Sequence, residues 1–348
     1  MEAKGYAAGE AGGKLSPYNF ERRELGEKDV LIDIKYCGIC HSDIHQVNND
    51  WGGASYPMVP GHEIVGIVRN VGSGVKKFKQ GDRVGVGCMV DSCGQCGPCK
   101  SGLQQYCENG ATFTYSSKDK VSGGVTYGGY SDKIVVVEDF VLKVSEKLDF
   151  AATAPLLCAG ITTYSPLKHW NVKAGQTVGV AGLGGLGHMA VKLAKSMGAN
   201  VVVMTTSEKK KDEAKRLGAD KVIISKNIEE MKKNRMSMDL IIDTIPAPHD
   251  MNLYISLLKI DGSIVLVGLP EKESQHVISA GSLINGRRSI SGSNIGGIEE
   301  TQEMLDYCDK HNIVSDIELI PMSEVNEAYV RTVNSDVKYR FVIDMSTL

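Results

Sequence analysis

A run of glycines, Gly182-Leu183-Gly184-Gly185-Leu186-Gly187, sits where an apolar, β-branched segment (Thr177–Gly182) gives way to helical spacing of Leu186, Met189, Ala190, Leu193 and Met197. Strand, glycine turn and helix in that order are a narrow constraint on the fold. The glycines allow a tight turn and a close approach of backbone to a pyrophosphate, whose charge meets the free N–H groups at the helix start. The segments that follow extend the pattern. Asn200–Thr206, Lys221–Ser225, Met238–Thr244 and Ser263–Gly268 read as further strands, with helical stretches between them such as Glu208–Leu217, which Gly218 closes. Strand and helix in alternation give a parallel, doubly wound α/β sheet of the Rossmann kind. Gly182, Gly184, Gly185, Leu186 and Gly187 are therefore candidate dinucleotide contacts.

The end of the second strand selects the dinucleotide. An NAD site wants an Asp or Glu there to hold the ribose 2′-hydroxyl. The chain instead reads Thr205-Thr206-Ser207-Glu208-Lys209-Lys210, and Glu208 lies past the strand end, where it starts the next helix. The hydroxyls of Thr206 and Ser207 and the ammonium of Lys210 suit a 2′-phosphate, so NADP(H) is expected in preference to NAD. Lys209 and Lys211 have the plainer alternative of a solvated helix face.

Ahead of this region, residues 30–140 look different. Val30–Tyr36 and Ile64–Val71 alternate apolar and polar, Lys133–Val137 is a short apolar run, and Gly, Asp and Pro turns divide them as in a barrel-like β domain. A chain of 348 residues with 42% apolar content has room for two such domains. The formal net charge of -3 and the absence of any basic block argue against nucleic acid or an anionic membrane as a partner. No stretch approaches the roughly 18 apolar residues of a membrane span, and Met1–Lys14 has no apolar segment of a secretory kind, so a cytoplasmic protein is expected.

Nine cysteines are present, and four of them crowd into Cys93-Gly-Gln-Cys96-Gly-Pro-Cys99 and, seven residues on, Cys107. Two-residue spacers let neighbouring sulfurs face one ion, and four thiolates make a closed tetrahedral zinc site with no open position, hence a structural one. An iron–sulfur centre or free thiols are the alternatives. A second constellation is spread more widely. Gly38-Ile39-Cys40-His41-Ser42-Asp43-Ile44-His45 packs a thiol, a hydroxyl, a carboxylate and two imidazoles together, His62 follows the Pro57/Pro60 turn, and Cys158 lies where the β-rich part gives way to the α/β part. One His and two Cys match the open Cys₂His zinc site, of which alcohol dehydrogenase is the standard example. Each residue alone has a bland reading: Cys158 as a packing cysteine, His62 as a core histidine, His45 as a histidine without a role. Their combination with a nucleotide fold is what points to a catalytic metal. Asp43 is expected behind His62, fixing its tautomer. Ser42 and His45 are expected to pass a proton between substrate oxygen and solvent. Cys37, Cys88 and Cys308 read as inert thiols.

Taken together with Asn49-Asp50-Trp51-Gly52, Tyr56-Pro57-Met58-Val59-Pro60-Gly61-His62-Glu63, Tyr127-Gly128-Gly129-Tyr130-Ser131, Leu157-Cys158-Ala159-Gly160-Ile161-Thr162-Thr163-Tyr164 and Val337-Lys338-Tyr339-Arg340-Phe341-Val342-Ile343-Asp344, these motifs resemble the zinc-dependent medium-chain dehydrogenase/reductase family over essentially the whole chain. Within it the resemblance is to the cinnamyl-alcohol-dehydrogenase-like group, and there to bacterial NADPH-dependent aldehyde reductases. It implies a GroES-like catalytic domain (1–152, with the structural zinc loop 93–107), an inserted Rossmann domain (153–292) and a return of the chain to the catalytic domain (293–348). It implies two zinc ions per chain, a homodimer formed through Rossmann sheet edges, an approach of Thr162 to the nicotinamide, and ligation of zinc by Glu63 when a bound water is displaced. The stretch Ala111–Val125 is rich in Ser, Lys and Thr and departs from the aromatic pocket wall of the plant enzymes, so a broad range of aldehydes is expected rather than cinnamyl substrates. The rivals are a reductase of activated C=C or C=N bonds on the same scaffold, and a nucleotide-binding sensor without turnover.

Overall fold

A computed structural model describes residues 1–271 and 276–348. The chain forms two compact units, one made of Met1–Ile161 with Gly296–Leu348 and the other of Thr162–Ile295.

The second unit is built on a six-stranded sheet in the order Lys221–Ile224, Asn200–Thr205, Thr177–Ala181, Met238–Asp243, Leu258–Leu266, Ser289–Gly292, and every neighbouring pair is parallel. The inner strands carry buried apolar runs, residues 201–204 and 240–242, as a parallel sheet covered on both faces requires, whereas the edge strand Ser289–Gly292 alternates serine with Ile290 and Gly292. Strand order reverses between Thr177–Ala181 and Met238–Asp243, which opens a crevice at their C-terminal ends. Helix Gly185–Ser196 buries Met189, Ala190, Val191, Leu193 and Ala194. On the core side, Met204, Ile223, Met231, Ile241, Met251, Ile255 and Leu258 pack into one cluster.

In the first unit, a sheet of seven strands carries the β-rich segments. Asp29–Gly38 is its centre, paired antiparallel with Ile64–Val71, Lys133–Val137 and Arg340–Asp344. Ile64–Val71 pairs in turn with Arg83–Val86, and that strand with Leu142–Lys143. Ile317–Pro321 adds a parallel strand beyond Arg340–Asp344, so the C-terminal segment is stitched into the sheet begun by the N-terminal one. Two ribbons complete the unit, Glu2–Ala7 with Ser16–Glu21 and Met89–Asp91 with Thr112–Phe113. The β-rich unit and the doubly wound parallel sheet agree with the expected fold class. The N-terminal ribbon and Ile317–Pro321 have no counterpart in the sequence reading. Among the described residues, no helix is long and apolar enough to cross a membrane.

Candidate metal centres and dinucleotide site

The four clustered cysteines converge in the first unit. Cys93 Sγ lies 3.9 Å from Cys99 Sγ and Cys96 Sγ 4.0 Å from Cys107 Sγ, and all four sulfurs lie within 4.8 Å of one another. Zinc–sulfur bonds of about 2.3 Å put the sulfurs of a tetrahedron about 3.8 Å apart, whereas a disulfide needs about 2.05 Å. The spacing fits a metal and excludes cross-linking. The Asn109 side chain, then the backbone N–H groups of Gln95 and Cys96, hold the Cys93 thiol down to about 5, so a thiolate is ready at neutral pH. Elemental analysis of the purified chain should find two zinc ions. Cys96→Ser should leave one, and two ions surviving that change would contradict the assignment.

A second cluster, Cys40, His62, Glu63 and Cys158, brings its ligand atoms within 4.8 Å of one another, and all four residues are buried. Cys40 is delivered by the end of strand Asp29–Gly38, at the N-cap of helix His41–Asn48. His62 and Glu63 directly precede strand Ile64–Val71, and Cys158 follows the tight turn Ala154–Leu157. Cys40 Sγ and Cys158 Sγ are 3.9 Å apart, again the edge of a zinc tetrahedron. Nδ1 of His62 lies 3.0 Å from Asp43 Oδ1. A carboxylate only accepts, so Nδ1 carries the proton and the Nε2 lone pair is left for a metal.

Glu63 completes the donor set. Its Oε1 is bound by the Arg340 guanidinium, while its fully buried Oε2 has no hydrogen-bond partner. A Cβ at residue 38 would lie 2.0 Å from that oxygen, so Gly38 is what makes room for it. Burial pushes the Glu63 carboxyl up to about 7 against the opposing pull of Arg340. Burial also works against the Arg340 charge, but Glu63, Cys40 and Cys158 outweigh it and hold the guanidinium above its usual value. Two sulfurs, an imidazole nitrogen and an orphaned carboxylate oxygen, all out of water, are a costly arrangement without a cation and an apt one with it. The residues fit zinc.

Ser42 and His45 share a face of helix His41–Asn48, three positions apart. Asp50 Oδ2 lies 2.8 Å from His45 Nδ1, and the Trp51 ring is 5.0 Å from the imidazole. Asn49, in the left-handed region at φ 62°, ends the helix and turns Asp50 back toward it. Asp50, Arg340, Tyr115 and Tyr130 belong to the surroundings of this site and were not singled out by their own chemistry in the sequence. Tyr115 stacks on the His62 ring at 5.8 Å. Cys88, expected to be inert, is half-buried beside the cluster with its Sγ 3.8 Å from the Leu157 carbonyl. Cys37 and Cys308 are buried, in strand Asp29–Gly38 and helix Ile298–His311.

In the second unit the glycine motif leaves strand Thr177–Ala181 and opens helix Gly185–Ser196. A Cβ at Gly187 would fall 2.2 Å from the Gly182 carbonyl oxygen, so this crossing of turn and helix requires glycine. Gly184 is exposed, with nothing within 4 Å of its missing Cβ. Leu186 is half-buried on the first turn of the helix. Strand Asn200–Thr205 ends alongside, in parallel register with Thr177–Ala181. Thr206 stands exposed one residue beyond it, followed by half-buried Ser207. Lys210 reaches back to the motif, its Nζ donating to the Leu183 carbonyl at 2.9 Å. Glu208 is engaged elsewhere, 2.7 Å from Lys211 Nζ. Thr162 is buried on helix Ala159–His169.

Two family models match the chain: the alcohol dehydrogenase GroES-like domain over residues 26–146 and the zinc-binding dehydrogenase model over residues 185–310. Aldehyde reductase YahK of Escherichia coli K12 is 53% identical over 351 residues, covering 100% of this chain and 99% of the relative. NADP-dependent alcohol dehydrogenase C of Mycobacterium bovis is 51% identical over 99% of this chain and 98% of its own length. Among solved structures, the cinnamyl alcohol dehydrogenase SbCAD4 of Sorghum bicolor superposes with a TM-score of 0.97 at 46% identity, covering 99% of this chain and 98% of that one. The cinnamyl alcohol dehydrogenase of Helicobacter pylori, solved with NADP(H), does so with a TM-score of 0.94 at 46% identity over 99% of both chains.

Proposed function

The chain belongs to the zinc-binding alcohol dehydrogenase family, and from that premise we propose that it is an NADP(H)-dependent alcohol dehydrogenase acting as an aldehyde reductase, with primary alcohols as substrates in reverse. The observation that carries the reading is the buried cluster of Cys40, His62 and Cys158 around an unpartnered Glu63 oxygen, backed by Asp43. Cys40, His62 and Cys158 would hold a zinc ion, which when bound would supply polarisation of a substrate oxygen beside a nicotinamide that would carry the hydride. Glu63, held at Oε1 by Arg340, offers its other oxygen as a further donor.

The chain's own contribution to the chemistry is proton handling and positioning. Ser42 is assigned the proton at the substrate oxygen. His45 takes it onward: Asp50 accepts from its Nδ1 in the neutral ring, which leaves Nε2 as the proton acceptor. Thr206, Ser207 and Lys210 are assigned the 2′-phosphate, the glycine motif the pyrophosphate, and Thr162 the nicotinamide. Functionally, residues 1–152 with 293–348 are taken as the catalytic domain and 153–292 as the Rossmann domain. The compact units divide slightly further along, so Cys158 travels with the metal cluster.

A homodimer is proposed through strand Ser289–Gly292, the sheet edge, whose unpaired backbone is a ready template for a second copy. The chain segment leading into it leaves Val277 and Ile284 exposed. The three cysteines outside the metal clusters, Cys37, Cys88 and Cys308, are free thiols, which fits a reducing, cytoplasmic location.

The test is consumption of NADPH by the zinc-loaded protein against a panel of aliphatic and aromatic aldehydes. Turnover across both groups is expected. No oxidation of NADPH with any carbonyl, despite tight cofactor binding, would leave a sensor as the better reading. Turnover confined to C=C or C=N acceptors would mark a reductase of another bond.

A further inference from the structure

Asp43 is the hub behind the metal cluster, and hydrogen-bond donors from several segments converge on its carboxylate. The residue is 0% exposed. Oδ1 accepts from the Gly61 N–H at 3.1 Å and from His62 Nδ1 at 3.0 Å. Oδ2 accepts from the Cys40 N–H at 2.9 Å and from the Tyr130 hydroxyl at 3.3 Å. Two donors on each oxygen use the roughly four acceptor sites an ionised carboxylate offers. Three of the four donors come from residues 40, 61 and 62, which are themselves metal ligands or adjacent to one. The fourth, Tyr130, comes from a separate segment.

Tyr130 is among the largest fully buried side chains. Its backbone is pinned on both sides, its N–H donating to the Pro60 carbonyl at 3.0 Å and its own carbonyl accepting from the Tyr6 N–H at 2.9 Å. The hydroxyl must donate toward Asp43, because a carboxylate has no proton to give. That fixes the next bond. The Tyr329 hydroxyl, 3.5 Å away on helix Val325–Val333, donates to the Tyr130 oxygen. Burial, then the Asp43 charge, pushes the Tyr130 phenol well above its usual range, so it stays a donor. Tyr329 to Tyr130 to Asp43 to His62 is thus a directed chain of hydrogen bonds running from the C-terminal segment to a metal ligand. Tyr115, stacked on the His62 ring, lies within reach of the same carboxylate.

Resting on the assignment of Cys40, His62 and Cys158 as catalytic zinc ligands, we infer that Tyr130, backed by Tyr329, is a positioning residue that locks the Asp43 carboxylate and thereby aims His62 Nε2 at the metal. Without the Tyr130 hydroxyl, Oδ2 loses one of its donors, and the carboxylate can rotate about its Cβ–Cγ bond toward other partners, the nearby Tyr115 hydroxyl among them. His62 then loses the fixed acceptor that holds its ring plane. The cost falls on metal retention before it falls on chemistry.

The two metal clusters make the test internally controlled. Zinc affinity at each site of the full chain is measured by competition with a chromogenic chelator, for the native protein, Tyr130→Phe and Tyr329→Phe. Tyr130→Phe keeps the ring and its packing. It is expected to weaken zinc at the Cys40–His62–Cys158 site about three- to tenfold, the size of one ordinary buried hydrogen bond, and to leave the four-cysteine site unchanged. Cobalt loaded into the same site should show a shifted ligand-field absorption in this variant. Tyr329→Phe should act in the same direction with a smaller effect. Unchanged or tighter zinc in Tyr130→Phe, or equal weakening at both sites with a lowered Tm, would overturn the inference by leaving Tyr130 a packing residue. The ligand assignment itself is tested separately. A second zinc that survives Cys158→Ser overturns that assignment, whatever Tyr130→Phe does.

Discussion

Cys158→Ser is expected to lower turnover by at least about 100-fold while NADPH still binds. Loss of a partner standing behind a metal ligand already costs roughly 10- to 100-fold in metal affinity or activity, and Cys158 is assigned to the ligand shell itself. Serine fits the space but keeps its proton at neutral pH, so it replaces a thiolate donor with a weak neutral one. The structure supplies the context for this. Cys158 Sγ is 3.9 Å from Cys40 Sγ, at a chain reversal between the turn Ala154–Leu157 and helix Ala159–His169. The glycine motif and Lys210 belong to the other compact unit, so cofactor binding is expected to survive. The experiment pairs initial rates with a fluorescence titration of NADPH and a zinc count. Expected are one zinc in place of two, nearly normal cofactor affinity, and no measurable rate above a small residue. Activity retained in a zinc-loaded Cys158→Ser protein would make this residue a packing cysteine and remove it from the ligand set.

Cofactor choice gives the second large effect. The native protein is expected to prefer NADPH, and Thr206→Asp to shift the NADPH/NADH ratio of kcat/KM by tenfold or more toward NADH. An NAD site carries a carboxylate at this strand end, which binds the ribose diol and repels a 2′-phosphate. Here the strand Asn200–Thr205 ends without an acid, and Thr206 and Ser207 follow. Glu208 is turned to Lys211, and Lys210 is held at the glycine motif by the Leu183 carbonyl. Its partial burial lowers the Lys210 pKa, and a phosphate beside it would pull the pKa back up. The substitution removes one phosphate donor and adds a like charge, while offering the ribose an acceptor, so both affinities move in the same direction of preference. A charge-assisted hydrogen bond is worth roughly 1.5–3 kcal/mol, and each 1.4 kcal/mol is about tenfold. A native preference for NADH would end this account. An unchanged ratio in the variant would assign the phosphate to other side chains.

The sequence by itself determined the parts of this protein whose geometry is set by short spacing. Cys93, Cys96, Cys99 and Cys107 lie close enough along the chain that their turn residues nearly dictate a common centre. The glycine motif has meaning because a strand and a helix flank it within a few residues. Ile64–Val71 and Lys133–Val137 match their strands to the residue, since an alternating or apolar run of five or more positions is long enough to read. Arg83–Val86 and Leu142–Lys143 are too short to carry a period, and only their pairing in the sheet defines them. The same limit applies to the site. Cys40, His62 and Cys158 were legible as residue types that zinc chemistry requires. Asp43 behind His62 was legible too; the groups that stand behind Asp43 and Glu63 were not, because they are remote: Tyr130 is 87 positions from Asp43, Tyr329 is 199 from Tyr130, and Arg340 is 277 from Glu63. No local pattern marks such pairs. They meet because strand Arg340–Asp344 returns to pair with Asp29–Gly38 and because the segment around Tyr130 crosses beneath Pro60 and Gly61. A buried charge must find its donors wherever the packed sheet places them, and that placement is decided only when the two ends of the chain have been brought together.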